Sequence, residues 1–207
     1  MSRSTSDGLP TAGSTLDRVL ASAARLFREK GYAGTSTREL AASAGLQSAS
    51  LYHHIGTKED LLHRLSMRTL QEVAELFDRV VAEEADPVPA LERLVRSYVE
   101  LLLTERDRHA ATLHEVRALS EHRRAEVVAL SERNVTVVRD TVLRAQRAGG
   151  LRADIDPRYA TLALFNMLNW TIFWYDPDGA LDPPAIGELL WSVLFRGLRP
   201  DSVPSGR

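Results

Sequence analysis

Residues 35–62 read TSTRELAASAGLQSASLYHHIGTKEDLL: two short helical patterns, separated by one glycine and handed directly into a third. Ser36 is placed to cap the first pattern. Glu39, three residues on, can reach back to the Ser36 amide, so a capping box opens a helix over residues 37–44. Gly45 supplies the bend. Leu40, Ala41 and Ala44 share one face, and Leu46, Leu51 and Ile55 continue the apolar strip. The small alanines then let the two helices cross closely. That is the pattern of a helix-turn-helix. Thr57 caps a further helix, with Lys58, Glu59 and Asp60 in its first turn.

The outward side of the second short helix carries Gln47, Ser48, Ser50, Tyr52, His53 and His54: donors, acceptors and ring faces without a cluster of acids. Such a face suits a DNA major groove. The bland alternative is a protein-interaction helix with surface aromatics. Arg38 alone would be a solvated charge, but at the front of a capped helix beside the bend it is placed for a phosphate or guanine. Lys58 stands where a backbone phosphate would pass.

The run TRELAASAGLQSASLYHHIGTKEDLL resembles the DNA-binding half of the tetracycline-repressor (TetR) family of bacterial transcriptional regulators. LYHH followed by GTKEDLL is its most specific part. The resemblance implies that Thr37 and Arg38 contact DNA from the first short helix. It also implies that Ser48, Ala49, Ser50, Tyr52 and His54 line the recognition surface and that Lys58 clamps phosphate. Gln47 departs from the usual Ser or Thr cap, Ile55 from the usual aromatic residue and Gly56 from a frequent Lys, so the operator sequence is not readable from these residues.

A chain of 207 residues has room for a second, larger packed unit beside this small one. The 44% hydrophobic and 26% charged content is ordinary for a soluble globular chain. The formal net charge of −2 means that any basic surface must be local to the front of the helix-turn-helix. Cysteine is absent, which removes disulfides and thiolate chemistry and fits a cytoplasmic protein. No apolar run approaches a membrane span of about 20 residues, and the N-terminus lacks a signal-peptide core. No GxSxG, HExxH, Walker loop or GxGxxG is found, so an enzyme is not expected.

Taken in order, residues 1–14 are a polar arm ending near a cap at Ser14 or Thr15. Leu16, Val19, Leu20, Ala23, Leu26 and Phe27 keep helical spacing until Gly31, with Phe27 anchoring the small core and Tyr32 covering its edge. A long helix over residues 58–84 carries its apolar stripe beyond the helix-turn-helix and so links the two units. Asp86, Pro87 and Pro89 break it, and the next stripe, from Leu91 to Leu102, ends in the charged TERDRH. A shorter helix is expected over residues 109–118, and a further one from residues 121–124 to Ala148, stopped by Gly149 and Gly150. The apolar, aromatic segment 158–175 and a last helix at 185–198 should form a hairpin, two copies of which would pair as a four-helix bundle.

Tyr98, Leu102, Phe165, Asn169, Trp170, Phe173 and Trp174 could wall a small-molecule cavity, with His114 as a polar contact. Core, dimer interface and a surface histidine are the plain alternatives. Asn166 and Asn169, amides in so apolar a segment, need partners. Arg117, Arg123 and Arg124 are either solvated or a phosphate site at a pocket mouth. His109, His114 and His122, five and eight residues apart, do not make a metal set. The segment NWTIFWYDPDGALDPPAIGELLWSVLFRGL is similar to the C-terminal hairpin of the TetR branch that includes fatty-acid and steroid-catabolism repressors, in its NW and WY aromatics, its proline-glycine turn and its final FRGL. That branch implies an acyl-coenzyme A thioester as ligand, although Asp176 stands where it often has Arg.

The expectation is an all-α chain of about nine helices: an arm at 1–14, a three-helix helix-turn-helix DNA-binding domain at 15–62, a larger helical ligand-binding and dimerisation domain at 63–199 and a tail at 200–207. Such a chain would be a homodimeric repressor, released from a pseudo-palindromic operator by a small hydrophobic effector and needing no cofactor. The competing classes are a helical protein-interaction module, which leaves the acid-poor outer face unexplained, and a constitutive DNA architectural protein, which leaves the aromatic C-terminal unit unexplained.

Overall fold

The computed structural model describes residues 14–47 and 56–199, and these are helices and connecting turns with no strand among them. Three of the helix starts are capping boxes. Ser14 opens α1 (Thr15–Gly34) with Asp17, Ser36 opens α2 (Thr37–Ser43) with Glu39, and Thr57 opens α3 (Lys58–Glu83) with Asp60. Gly31, at φ 74°, kinks α1, and one more turn follows it. Gly45 makes the bend after α2 at φ 68°, a conformation that a residue with a Cβ rarely adopts.

Beyond α3, Asp86 caps α4 (Pro87–Thr104) with Pro87 in its first turn. Next come α5 (Arg106–Glu115), a 3-10 turn (Val116–Ala118) and α6 (Glu121–Arg147), a rod about 40 Å long. Asp156 caps α7 (Pro157–Asn169), which is followed by the single turn α8 (Thr171–Trp174), and Asp182 caps α9 (Pro183–Leu198).

Three expectations are corrected. The charged TERDRH does end α4, at Thr104, but α5 already begins within it, at Arg106 rather than His109, because these charges have partners elsewhere, Asp107 on Arg28 and Arg108 on Glu72. Segment 158–175 is interrupted at Trp170, whose carbonyl accepts the Phe173 N–H at 3.1 Å while the Thr171 hydroxyl donates to the Leu168 carbonyl at 2.6 Å, which tightens the turn. Finally, α9 lies chiefly along α4 and touches α7 only at an edge, so the last two segments are not a simple hairpin.

Two apolar cores result. The smaller is built from α1, α2 and the start of α3, around Phe27, Leu40, Leu61, Leu62 and Leu65, and it is completed by Ala111, Leu119 and Val127 from the α5–α6 corner. The larger gathers Val73, Phe77 and Val80 of α3 with α4, the far half of α6, α7 and α9. Both α3 and α6 therefore contribute to both cores.

The close approach of α9 to α4 depends on Gly187. A Cβ there would lie 3.2 Å from Cα of Arg96 and 3.3 Å from its carbonyl oxygen, atoms that cannot swing aside. Gly187→Val should destabilise the fold by about 1–3 kcal/mol, measured as a lower thermal midpoint, with helical content at 20 °C retained.

Candidate nucleic-acid interface and effector region

The front of the smaller unit is rigidly built. The Glu39 carboxylate accepts from Lys30 at 2.6 Å and from the Ser36 amide and hydroxyl at 2.9 and 2.8 Å, and these bonds, Lys30's foremost, hold its pKa at about 2. On this turn Arg38 is exposed and Thr37 half-buried, and Gln47 is exposed where the described chain breaks off. Ser48, Ala49, Ser50, Tyr52, His53 and His54 lie outside the described residues. The Lys58 ammonium donates to the carbonyls of Tyr32 (2.8 Å) and Thr35 (2.9 Å) and sits 4.3 Å from the Tyr32 ring centroid. It thus ties the start of α3 to the end of α1, an inward role that its place in the sequence does not suggest.

The eight residues expected to wall a cavity fall into two groups. Tyr98, Leu102, Phe165 and Asn169 face inward. Tyr98 donates its hydroxyl to Oδ1 of Asn169 at 2.7 Å, and its ring meets those of Phe77, Phe165 and His109 edge-on at 5.6, 5.7 and 6.1 Å. Burial pushes the Tyr98 hydroxyl far above its ordinary pKa, so it stays a donor. The space between Phe77, Tyr98 and Phe165 is too small for a water molecule. His114, Trp170 and Phe173 instead form an outer aromatic cluster: His114 stacks on Phe173 at 5.0 Å, Trp170 lies 4.4 Å from Phe173 and is 63% exposed, and Trp174, next in the chain, is exposed as well. The Asn169–Trp170 step, where α7 breaks, joins the two groups.

Open space lies elsewhere. A cleft of about 650 Å³ runs between α1, α3 and the α4–α5 junction, floored by Leu20, Ala24 and Leu65 and rimmed by Asp17, Arg68, Glu72 and Arg108. Its rim charges are paired with one another: Arg68 with Asp17 and Glu72, and Arg108 with Glu72. Sequence reasoning missed this joint, although Arg68 and Glu72 at i,i+4 were a legible signal. Of the three arginines considered for a pocket mouth, Arg123 is engaged by Asp60, whereas Arg117 and Arg124 are exposed. Among the described residues no group of three or more His, Cys, Asp or Glu is placed to hold a metal.

Capped helix, glycine bend and outward Arg38, carried on a larger helical body, define the class: a helix-turn-helix DNA-binding regulator. Residues 19–65 match the family model "Bacterial regulatory proteins, tetR family", and residues 84–198 match "Tetracyclin repressor-like, C-terminal domain". The chain belongs to the TetR family, whose members are DNA-binding transcription regulators rather than enzymes. It is 30% identical over 180 residues to the HTH-type transcriptional repressor KstR2 of Rhodococcus jostii, covering 85% of this chain and 87% of that one. It superposes on the TetR-family regulator PfmR of Thermus thermophilus with a TM-score of 0.81 at 33% identity, covering 89% of this chain and all of that one. On AibR, solved in complex with isovaleryl coenzyme A and operator DNA, the TM-score is 0.79 at 30% identity, with 88% and 98% covered.

His109 makes one property of this region measurable. Burial foremost, and then the charge of Arg108, lowers its pKa to about 4, against the pull of Glu72. The unfolded chain, near 6.5, therefore takes up the proton first, and stability falls as the pH drops from about 6.5 to 4, by up to about 3 kcal/mol. His109→Gln should flatten that window when urea denaturation is compared at pH 7 and pH 5.

Proposed function

We propose that this regulator is a homodimeric repressor that a small hydrophobic effector releases from a pseudo-palindromic operator. One observation carries the reading: α3 begins beside the DNA-facing segment with Leu61, Leu62 and Leu65 in the small core and continues with Val73, Phe77 and Val80 in the large one. A repacking of the body around Phe77 must therefore be felt at the helix-turn-helix. Arg38, Thr37 and Gln47, with Ser48, Ala49, Ser50, Tyr52, His53 and His54, form the DNA-reading set, and Lys58 serves it by bracing the start of α3 against α1. Two such sets about 34–36 Å apart would enter successive major grooves.

The apolar residues left outward support the dimer: Tyr159 and Leu162 on α7 are 69% and 53% exposed, and Leu189 and Val193 on α9 are 45% and 55% exposed. The effector site would lie at the α7 break, where Trp170, Phe173, Trp174 and His114 receive the ligand from outside and Tyr98, Leu102, Phe165 and Asn169 wait inside. AibR, similar over most of the chain, was solved with isovaleryl coenzyme A, which favours an acyl thioester here. A ligand that prefers the body arrangement in which the reading helices are misplaced weakens DNA binding reciprocally, by about 5–150-fold for a coupling of about 1–3 kcal/mol. No helix among the described residues is long and apolar enough to cross a membrane, and a cytoplasmic place belongs to the same reading.

Arg38→Ala and Tyr52→Ala should abolish binding to a duplex selected by the wild-type protein from random-sequence DNA, while circular dichroism and native mass stay unchanged; retained binding removes these residues from the interface. Trp170→Ala should reduce release by isovaleryl-coenzyme A more than it changes affinity for that duplex. A release curve that superimposes on the wild type would move the effector away from the α7 break.

A further inference from the structure

The corner between α5 and α6 serves the DNA-binding unit more than its place in the chain suggests. Leu119 and Val127 are buried in the small core. Around them runs a set of polar contacts to the first two turns of α3. The Ser120 N–H donates to Oε1 of Glu59 at 2.9 Å, and Arg123 pairs with Asp60 and reaches Glu59 at 3.5 Å. Oε2 of Glu126 lies 2.7 Å from Nε2 of His63, while its other oxygen faces His122 at 3.2 Å.

Asp60 is the pivotal group because it does two things with one carboxylate. Oδ2 accepts the Thr57 amide and hydroxyl, both at 2.7 Å, and so closes the cap that starts α3; Oδ1 takes Arg123. The guanidinium of α6 therefore pulls on the cap itself, one residue after Gly56. At its other end α6 is held in the large core by Val138, Val142 and Ala145. Any displacement of that end must carry the cap with it or break a charge-assisted contact.

We propose that residues 119–127 form a clasp through which α6 sets the angle of the unit built from α1, α2 and the start of α3, and that Arg123 is a positioning residue for DNA reading that itself touches no DNA. The second half of this statement rests on the function proposed above; the first does not. The clasp makes α6 a second lever beside α3, so the reading unit is steered from two points and its orientation, not only its position, follows the body.

Because the chain has no cysteine, labels can be placed cleanly. Spin labels on Ala42→Cys and Ala82→Cys, both exposed positions on α2 and at the far end of α3, would report the head-to-body distance within one protomer when labelled protein is diluted into unlabelled. In Arg123→Ala the distance distribution should broaden, and affinity for the selected duplex should fall about tenfold. Arg124→Ala should change neither, and Arg123→Lys should recover part of both. The salt dependence of binding should keep its wild-type slope, since no phosphate contact is lost. An unchanged distribution in Arg123→Ala overturns the clasp. A broadened one with unchanged affinity overturns the role of Arg123 in DNA reading. A wild-type protein that selects no duplex defeats the DNA reading alone and leaves the distances to decide the clasp. Should Arg123→Ala not fold, Glu126→Gln carries the same distance test.

Discussion

Leu61, Leu62 and Leu65 at one end of α3, and Val73, Phe77 and Val80 at the other, are buried in different cores, and the rest of the structure is built around that sharing. A continuous helix cannot bend sharply without a proline, a bulge or an inserted group, and residues 58–83 contain no proline. The smaller unit is consequently not a bead on a string. It is the end of a rod, and α6 runs beside that rod over much of its length. Each core fixes one end of both helices, so the relative placement of the two units is set by apolar packing rather than by a linker.

The charges at the joint refine this placement more than they strengthen it. Arg28 with Asp107, Arg68 with Asp17, Arg108 with Glu72 and Arg123 with Asp60 each span two helices. Exposed pairs of this kind contribute roughly 0–1 kcal/mol apiece. Arg108 is the exception in setting, with its side chain only 16% exposed and three of its N–H groups bound to Glu72 and Glu105. What such contacts supply is direction: a guanidinium plane accepts few arrangements, so a small change in crossing angle exchanges one set of partners for another.

Local signals were the legible ones. The caps at Ser14, Ser36 and Thr57 are decided within four residues, and the stripe on α3 repeats with the helical period, so both could be read from the chain alone. The partners of a face could not. The apolar side of α9 gives no hint that it meets Arg96 across Gly187, and nothing in TERDRH shows that a new helix starts inside it until Arg28 and Glu72 are found opposite. For the candidate site, Arg38 and Gln47 stand exposed as a reading face requires, and the rest of that face lies outside the described residues. The aromatic residues of the body form a recognisable set, yet nothing in their spacing separates the buried Tyr98 and half-buried Phe165 from the exposed Trp170 and Phe173. That division depends on where α7 breaks.

The packing inside that division has a consequence for recognition. With Phe77, Tyr98 and Phe165 closed on one another, a guest that uses the inner group must make its own room. Rings have to part, and the bond from Tyr98 to Asn169 has to be given up or matched by the guest. Observed affinity is then the intrinsic affinity scaled by the fraction of molecules already open, and selectivity resides in the opening step. On the function proposed above, a chain tail too short to part the rings would stay among the outer aromatics and leave the body, and with it the operator grip, as it was.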